Sequence, residues 1–200
     1  MTRRFDPQPI VLQGERVRLE PLSLEHLSAL FDIGRDPALW TYLPCPAFSS
    51  AQDARQWIEE CRAEVAAGRH LAFVIVVRDT GRVVGSTRYI DIQREHRTLE
   101  IGWTLIAVEF QRTFVNTETK FLLLSHAFET LDAVRVALSA DSRNLRSRQA
   151  IERIGGVREG VLRCHRVQPD GYVRDTVCYS IVAREWPRVR GRLEALLRDR

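Results

Sequence analysis

Two hundred residues suit one domain, and a chain of that length buries a core without needing a disulfide or metal staple. With 44% hydrophobic and 28% charged residues, the composition is that of a globular protein and excludes a disordered or fibrous one. The formal net charge of +4 is mild and dispersed; the densest basic stretch, Arg184 to Arg200, is diluted by Glu185, Glu194 and Asp199 and reads as a solvated helix face rather than a nucleic-acid patch.

No apolar run approaches the roughly 20 residues that span a bilayer, and Met1-Thr2-Arg3-Arg4-Phe5 lacks the apolar core of a secretion signal. Neither a membrane nor a nucleic acid is expected as a partner. The four cysteines, Cys45, Cys61, Cys164 and Cys178, show no C-x-x-C spacing, so no metal is expected. Buried free thiols fit best, with a pairing of Cys164 and Cys178 across a hairpin as the alternative. A reducing cytoplasm agrees with this cysteine usage.

Residues 1–9 are expected to form a flexible arm. Val17 to Leu22 alternates apolar and polar residues as a strand does. Ser23 caps a helix carrying Leu24, Leu27, Leu30 and Phe31, ended by Asp36-Pro37. Leu39 to Pro44 is an aromatic loop bounded by prolines. Ser49 or Ser50 starts a second helix, with Ala54, Trp57, Ile58 and Cys61 on one face, and Gly68 ends it. Leu71 to Val77 is a central strand, joined through Asp79-Thr80-Gly81-Arg82 to its hairpin partner Val83 to Ile92. Leu99 to Val108 is another strand. A helix over Thr117 to Leu131 follows, then a strand at Val134 to Ser139 and a short helix over Asn144 to Ile154. The hairpin Arg158–Val167 and Val173–Val182 turns at Pro169-Asp170-Gly171, and an amphipathic helix starts near Trp186-Pro187. This order gives one domain over 1–200 of mixed α/β (α+β) class. Its sheet has about seven mostly antiparallel strands, with helices on both faces.

The segment from Glu109 to Glu118 joins a strand to the strongest helix. A helix N-terminus carries unpaired N–H groups and partial positive charge, so it holds a phosphate well. Asn116 or Thr117 is the expected cap, and a capped helix with no ligand is the plainer reading. The run Glu100-Ile101-Gly102-Trp103, then Gln111-Arg112-Thr113, Val115-Asn116-Thr117-Glu118 and Lys120, then Leu122-Leu123-Leu124 and His126-Ala127-Phe128-Glu129, resembles the acetyl-CoA core of the GNAT superfamily of N-acetyltransferases. Asn144, Ser147, Ala150-Ile151 and Ile154-Gly155 resemble its helix beside the pantetheine arm. Gly160 to Arg163 and Asp170-Gly171, Arg174-Asp175, Tyr179-Ser180 resemble the closing hairpin of the ribosomal-protein N-acetyltransferase branch.

That resemblance implies a cleft where two central parallel strands splay apart, and acetyl transfer from acetyl-CoA to an amine, either a protein N-terminus or a small molecule. Backbone N–H groups over Arg112, Thr113, Phe114, Val115, Asn116 and Thr117 would cradle the pyrophosphate beside Gln111. Main-chain groups of Leu105, Ile106 and Ala107 would pair with the pantetheine arm. Asn144 would bond the arm, and Ser147 would protonate the departing thiolate. Related domains often pair as homodimers. Phe114 stands where the family usually has glycine, and its ring either turns away and leaves the N–H groups open or narrows the site. The second outcome would make the chain a GNAT-like binding module with an impaired CoA site.

Among the chemistry-bearing residues, Glu100 interrupts an apolar strand, where a carboxylate is costly without a partner. It is the candidate general base, or else a carboxylate paired with Arg88 or Arg97. Trp40, Tyr42 and Phe48 wall the acceptor site or lie in the core under their loop. His126 is expected to be packed or at the surface. His165 and Asp175 either touch substrate or pair across the hairpin.

Overall fold

The computed structural model describes residues 5–199. Strands β1 (Leu12–Gln13) and β2 (Val17–Pro21) lead into helices α1 (Leu27–Gly34) and α2 (Ala51–Ala66). Then come β3 (Leu71–Val77), β4 (Arg82–Gln93), β5 (Thr98–Ile106), α3 (Phe114–Ser125) and β6 (Arg135–Asp141). The chain closes with α4 (Leu145–Arg153), β7 (Val157–Val167), β8 (Val173–Val182) and α5 (Trp186–Arg198). One sheet runs β1-β2-β3-β4-β5-β6-β8-β7. Its pairs are antiparallel except β5 with β6, which is parallel. The sheet therefore has eight strands rather than about seven. The added one, β1, is two residues long, too short for any alternation to show in the sequence.

Every residue of β3 is buried, because both faces of the sheet are covered. Leu71, Phe73, Ile75 and Val77 enter one core with β5, β6, β8, α3 and α5. Ala72, Val74 and Val76 enter the other, with α1, α2 and the loop between them. A continuous apolar run with period-two allocation is what a doubly covered strand requires. Helix α2 begins with a reciprocal cap: the Ser50 side chain accepts from the Asp53 N–H at 3.3 Å, and Asp53 accepts from the Ser50 N–H at 2.9 Å.

Four local expectations change. Helix α3 starts at Phe114, a turn before Thr117, and its cap is Thr113, whose hydroxyl accepts from the Val115 N–H at 3.3 Å. Val115 is fully buried and the Phe114 ring is packed, so tertiary contacts override the weak helix preference of both residues. Past Ser125 the helix widens into a π-type turn over His126–Thr130. All four cysteines are free, but only Cys61 is buried; Cys45 and Cys178 are partly buried and Cys164 is exposed. Of the arm expected over 1–9, residues 1–4 lie outside the described residues, and Phe5 packs into the larger core at 4% exposure. Among the described residues no helix is long and apolar enough to cross a membrane.

Helix α3 is tied to the sheet by one buried carboxylate. Glu118 Oε1 accepts from the N–H groups of Arg16 at 2.8 Å and Val17 at 3.2 Å, and Oε2 lies 3.6 Å from Arg16 Nε. Gly14 is needed beside it, because a Cβ there would sit 2.3 Å from Glu118 Oε1. Removing this acceptor orphans two buried donors, so Glu118→Ala should lower unfolding free energy by about 2–4 kcal/mol. Urea unfolding checks this, and Glu118→Gln, which keeps one acceptor, should recover part of the loss.

Candidate functional site

Strands β5 and β6 share a ladder only where Thr98, Leu99 and Glu100 face Arg135, Val136 and Ala137. Beyond Glu100 they part, and the gap becomes a cleft of about 570 Å³. Its walls are β5 from Glu100 to Ile106 on one side and β6 from Leu138 to Asp141 with α4 on the other. Strand β5 bends here through a bulge. Ser86 faces Leu105 while Arg88 faces Gly102, so β5 carries one extra residue against β4. Trp103 takes a φ of +51° at this point, an unusual conformation for a bulky residue. Packing holds it: the Arg88 guanidinium is sandwiched between Trp103 at 4.6 Å and Trp57 at 4.7 Å. Gly85 permits the approach of the bent strand, since a Cβ there would stand 2.1 Å from the Leu105 carbonyl oxygen.

The opening turn of α3 forms one end of the cleft. Gln111, Arg112, Thr113 and Asn116 line it. Arg112 enters the turn with a φ of +62°. The first peptide N–H groups of the helix have no carbonyl four residues back; that of Val115 goes to the Thr113 cap, and the others can face an anion. The Phe114 ring does not line this space; it lies under the Arg16 guanidinium, 4.3 Å away, and packs against the core. Val115 and Thr117 are buried with side chains away from the cleft, and the Thr117 hydroxyl accepts from Arg153 at 3.2 Å.

The opposite wall at this end is α4. Asn144 caps it by accepting from the Ser147 N–H at 3.0 Å, and both residues line the cleft. Arg146 reaches across the opening and donates to Gln111 Oε1. Of the main-chain groups at 105–107, the Ala107 N–H is committed to the Val84 carbonyl at 2.9 Å. The Ile106 carbonyl points the other way and accepts from Gln111 Nε2 at 2.9 Å. Alternation along a strand then turns the main chain of Ile106, not of Leu105 or Ala107, toward the cleft.

Glu100 lies at the other end, half-buried, where the strands begin to part. Its partner is neither Arg88 nor Arg97. Ser139 on β6 donates to Glu100 Oε1 at 2.6 Å, while Arg97 pairs with Asp132. Tyr42 lines the cleft nearby with Leu39, Leu43 and Pro44. Trp40 does not. It is 4% exposed, donates to the Gly34 carbonyl at 2.8 Å, and packs with Phe48 and Trp57 in the smaller core. His126 is packed as well, stacked on Tyr89, and burial pushes its pKa down. In the last hairpin His165 bonds the Thr176 hydroxyl at 3.0 Å, and Asp175 accepts from the Cys164 N–H at 2.8 Å. Asp141 joins the cleft wall and is held in two places by Arg143, through Nε at 3.2 Å and Nη2 at 2.9 Å. Burial pushes the Asp141 carboxyl up, but the Arg143 contacts outweigh it and hold the carboxyl below its ordinary value.

Lys120, which the sequence reading left without a role, lies on the cleft floor two turns into α3. Nζ donates to the Thr104 hydroxyl at 2.7 Å, and Thr104 bonds Thr87 at 2.9 Å, so α3 grips the bulge of β5. Burial pushes the ammonium down to about 7 from an ordinary value of 10.5. The signal in the sequence was the chain's single lysine, standing directly before the apolar run Phe121 to Leu124.

Two outcomes follow from this geometry. Below pH 7 Lys120 is charged in both folded and unfolded chains, and the folded one bears the full cost of burying it. Between about 7 and 10.5 the unfolded chain binds more protons, so stability rises with pH. Lys120→Met should therefore be more stable by ~3–5 kcal/mol at pH 6, with a flatter rise above pH 7. Urea titrations at pH 6, 8 and 10 measure both, and an unchanged slope would rule the account out. Phe114→Ala should lower Tm by several degrees through lost packing, yet leave CoA affinity within about threefold in calorimetry. A large change in CoA affinity would instead put the ring inside the site.

The pattern of the acetyltransferase (GNAT) domain family matches residues 16–157. A relative described as an uncharacterized N-acetyltransferase, p20 of Bacillus licheniformis, is 25% identical over 175 residues, covering 88% of this chain and 97% of that protein. The crystal structure of a GCN5-related N-acetyltransferase from Brucella melitensis superposes with a TM-score of 0.90 at 27% identity, covering 96% of this chain and 87% of that one. Mycobacterium smegmatis RimJ, solved in complex with CoA-disulfide, shares the fold with a TM-score of 0.83 at 24% identity, covering 94% and 95%. With most of its length matched by the family pattern and its cleft opened by parting parallel strands, the chain belongs to the acetyltransferase (GNAT) domain family and is an acetyl-transferring enzyme.

Proposed function

We propose that this protein moves an acetyl group from acetyl-CoA to a primary amine, on a small molecule or a protein N-terminus, by direct attack in the cytoplasm. The observation that carries the reading is the layout of the cleft. It has the anion-receptive start of α3 at one end and the Glu100 carboxylate at the other. CoA supplies the activated thioester. The amides from Arg112 to Thr117 would hold its pyrophosphate, with Gln111 and Asn144 alongside and the main chain of Ile106 pairing with the pantetheine arm. The Asn144 Nδ2 group suits that task, because only its Oδ1 is committed to the α4 cap. The Phe114 ring lies outside the cleft, which supports a competent CoA site over an impaired binding module.

Attack requires a neutral amine, so a proton must leave the acceptor nitrogen as the new C–N bond forms and the C–S bond breaks. Glu100 would take that proton, directly or through water. The Ser139 hydroxyl fixes one carboxylate oxygen and leaves the other for the acceptor. Ser147, in the first turn of α4, is the candidate to return a proton to the sulfur. Tyr42 would wall the acceptor. A homodimer joined along β7 is supported by the position of that strand at the sheet edge, with Val157, Val161, Leu162 and Val167 exposed.

Glu100→Gln should lower kcat at neutral pH by about 10²-fold while acetyl-CoA affinity stays within about twofold. Thiol release during turnover and calorimetry with acetyl-CoA give the two numbers. Turnover equal to the parent would remove Glu100 from the mechanism.

A further inference from the structure

The end of the cleft away from α3 contains a buried arginine that makes no salt bridge among the described residues. Arg174 on β8 is 7% exposed and lines the cleft. Its Nε has no hydrogen-bond partner. Its one hydrogen bond runs from Nη1 to the Tyr42 carbonyl at 3.5 Å, the long limit for such a contact. The two carboxylates within electrostatic reach, Asp141 and Glu100, are both committed elsewhere. Arg143 holds Asp141 from Nε and Nη2 and through its own N–H at 2.9 Å, and Ser139 holds Glu100.

A second observation points the same way. Arg166 on β7 stands directly opposite Arg174 in the β7–β8 register, and both line the cleft. Like charges facing each other across a strand pair destabilise a sheet. A buried guanidinium without a counter-ion is costlier still. One bound anion relieves both, and the planar fork of a guanidinium matches a carboxylate in two-point geometry.

We propose that Arg174 and Arg166 form a carboxylate-binding subsite, so that the acceptor is a small amine carrying its own carboxylate, as an amino acid does. The proposal rests on the acetyl-transfer reading above and narrows its acceptor. Glu100 takes the nitrogen end and the arginine pair takes the carboxylate end. Leu39, Tyr42, Leu43 and Pro44 close over the molecule between them. A polycationic acceptor meets two guanidiniums instead and is disfavoured.

The test uses the full chain, acetyl-CoA, and the common amino acids beside their carboxamides as acceptors, with thiol release as readout. At least one amino acid should be acetylated with a kcat/KM at least tenfold above that of its amide. Arg174→Gln should shrink that preference to within about twofold, mostly through KM, while acetyl-CoA affinity is retained. This variant loses an unpaired buried charge and should melt no lower than the parent. Arg166→Gln, at an exposed position, gives a second reading and should lower the preference by a smaller factor. Calorimetry with the corresponding N-acetyl amino acids adds a measurement independent of turnover: binding should be lost in Arg174→Gln and kept in Glu100→Gln. Arg174-dependent binding of those acids without any transfer would uphold the subsite and count against the acetyl-transfer reading. Transfer that treats acid and amide alike, favours polyamines, or occurs only on peptide N-termini would overturn the subsite and leave the enzyme reading standing.

Discussion

Two neighbouring strands that stop sharing hydrogen bonds halfway along leave a row of peptide groups in need of partners. In this protein the row belongs to β5 and β6 after Glu100, and the rest of the molecule is arranged around keeping that gap open. The bulge at Trp103 turns β5 away, the Arg88 wedge between two tryptophans holds the turn, and Lys120 grips it from the other side through Thr104. Helix α3 is in turn held by its Glu118, which accepts from the Arg16 and Val17 N–H groups at the start of β2. The opening is therefore a fixed property of the packed sheet.

Charged groups line that opening. Peptide dipoles and the arginines Arg112 and Arg146 gather where α3 and α4 begin. The carboxylates Glu100 and Asp141, each clasped by a neighbour, line the cleft farther on, beside Arg174 and Arg166.

Elements whose side-chain pattern has a single explanation were legible in the sequence. The run Leu71 to Val77 has only apolar residues because both faces are covered, and Ser50, one of the two serines expected there, caps α2. The start of α3 was not legible. Phe114 and Val115 look unlike helix openers until Arg16, about a hundred residues earlier, is known to lie on the ring. The bulge escaped for a similar reason: nothing local marks Trp103 or Arg112 for a positive φ, since neither is glycine or asparagine. The Ser139 partner of Glu100 sits across the parallel pair β5–β6, and no spacing rule links them. Of two loop aromatics two residues apart, Tyr42 faces the cleft and Trp40 the core, a choice made by where the loop packs.

The same lone lysine that braces the bulge has a bearing on the enzyme's own integrity. Thioesters acylate exposed lysine amines without any catalyst, and an acetyltransferase spends its working life beside one. This chain has a single lysine, buried under the cleft floor, and carries the rest of its positive charge on arginine, whose guanidinium stays protonated and does not attack carbonyl carbon. No lysine is therefore exposed on the surface of the described residues, and acylation of a lysine nitrogen could occur only at one shielded amine.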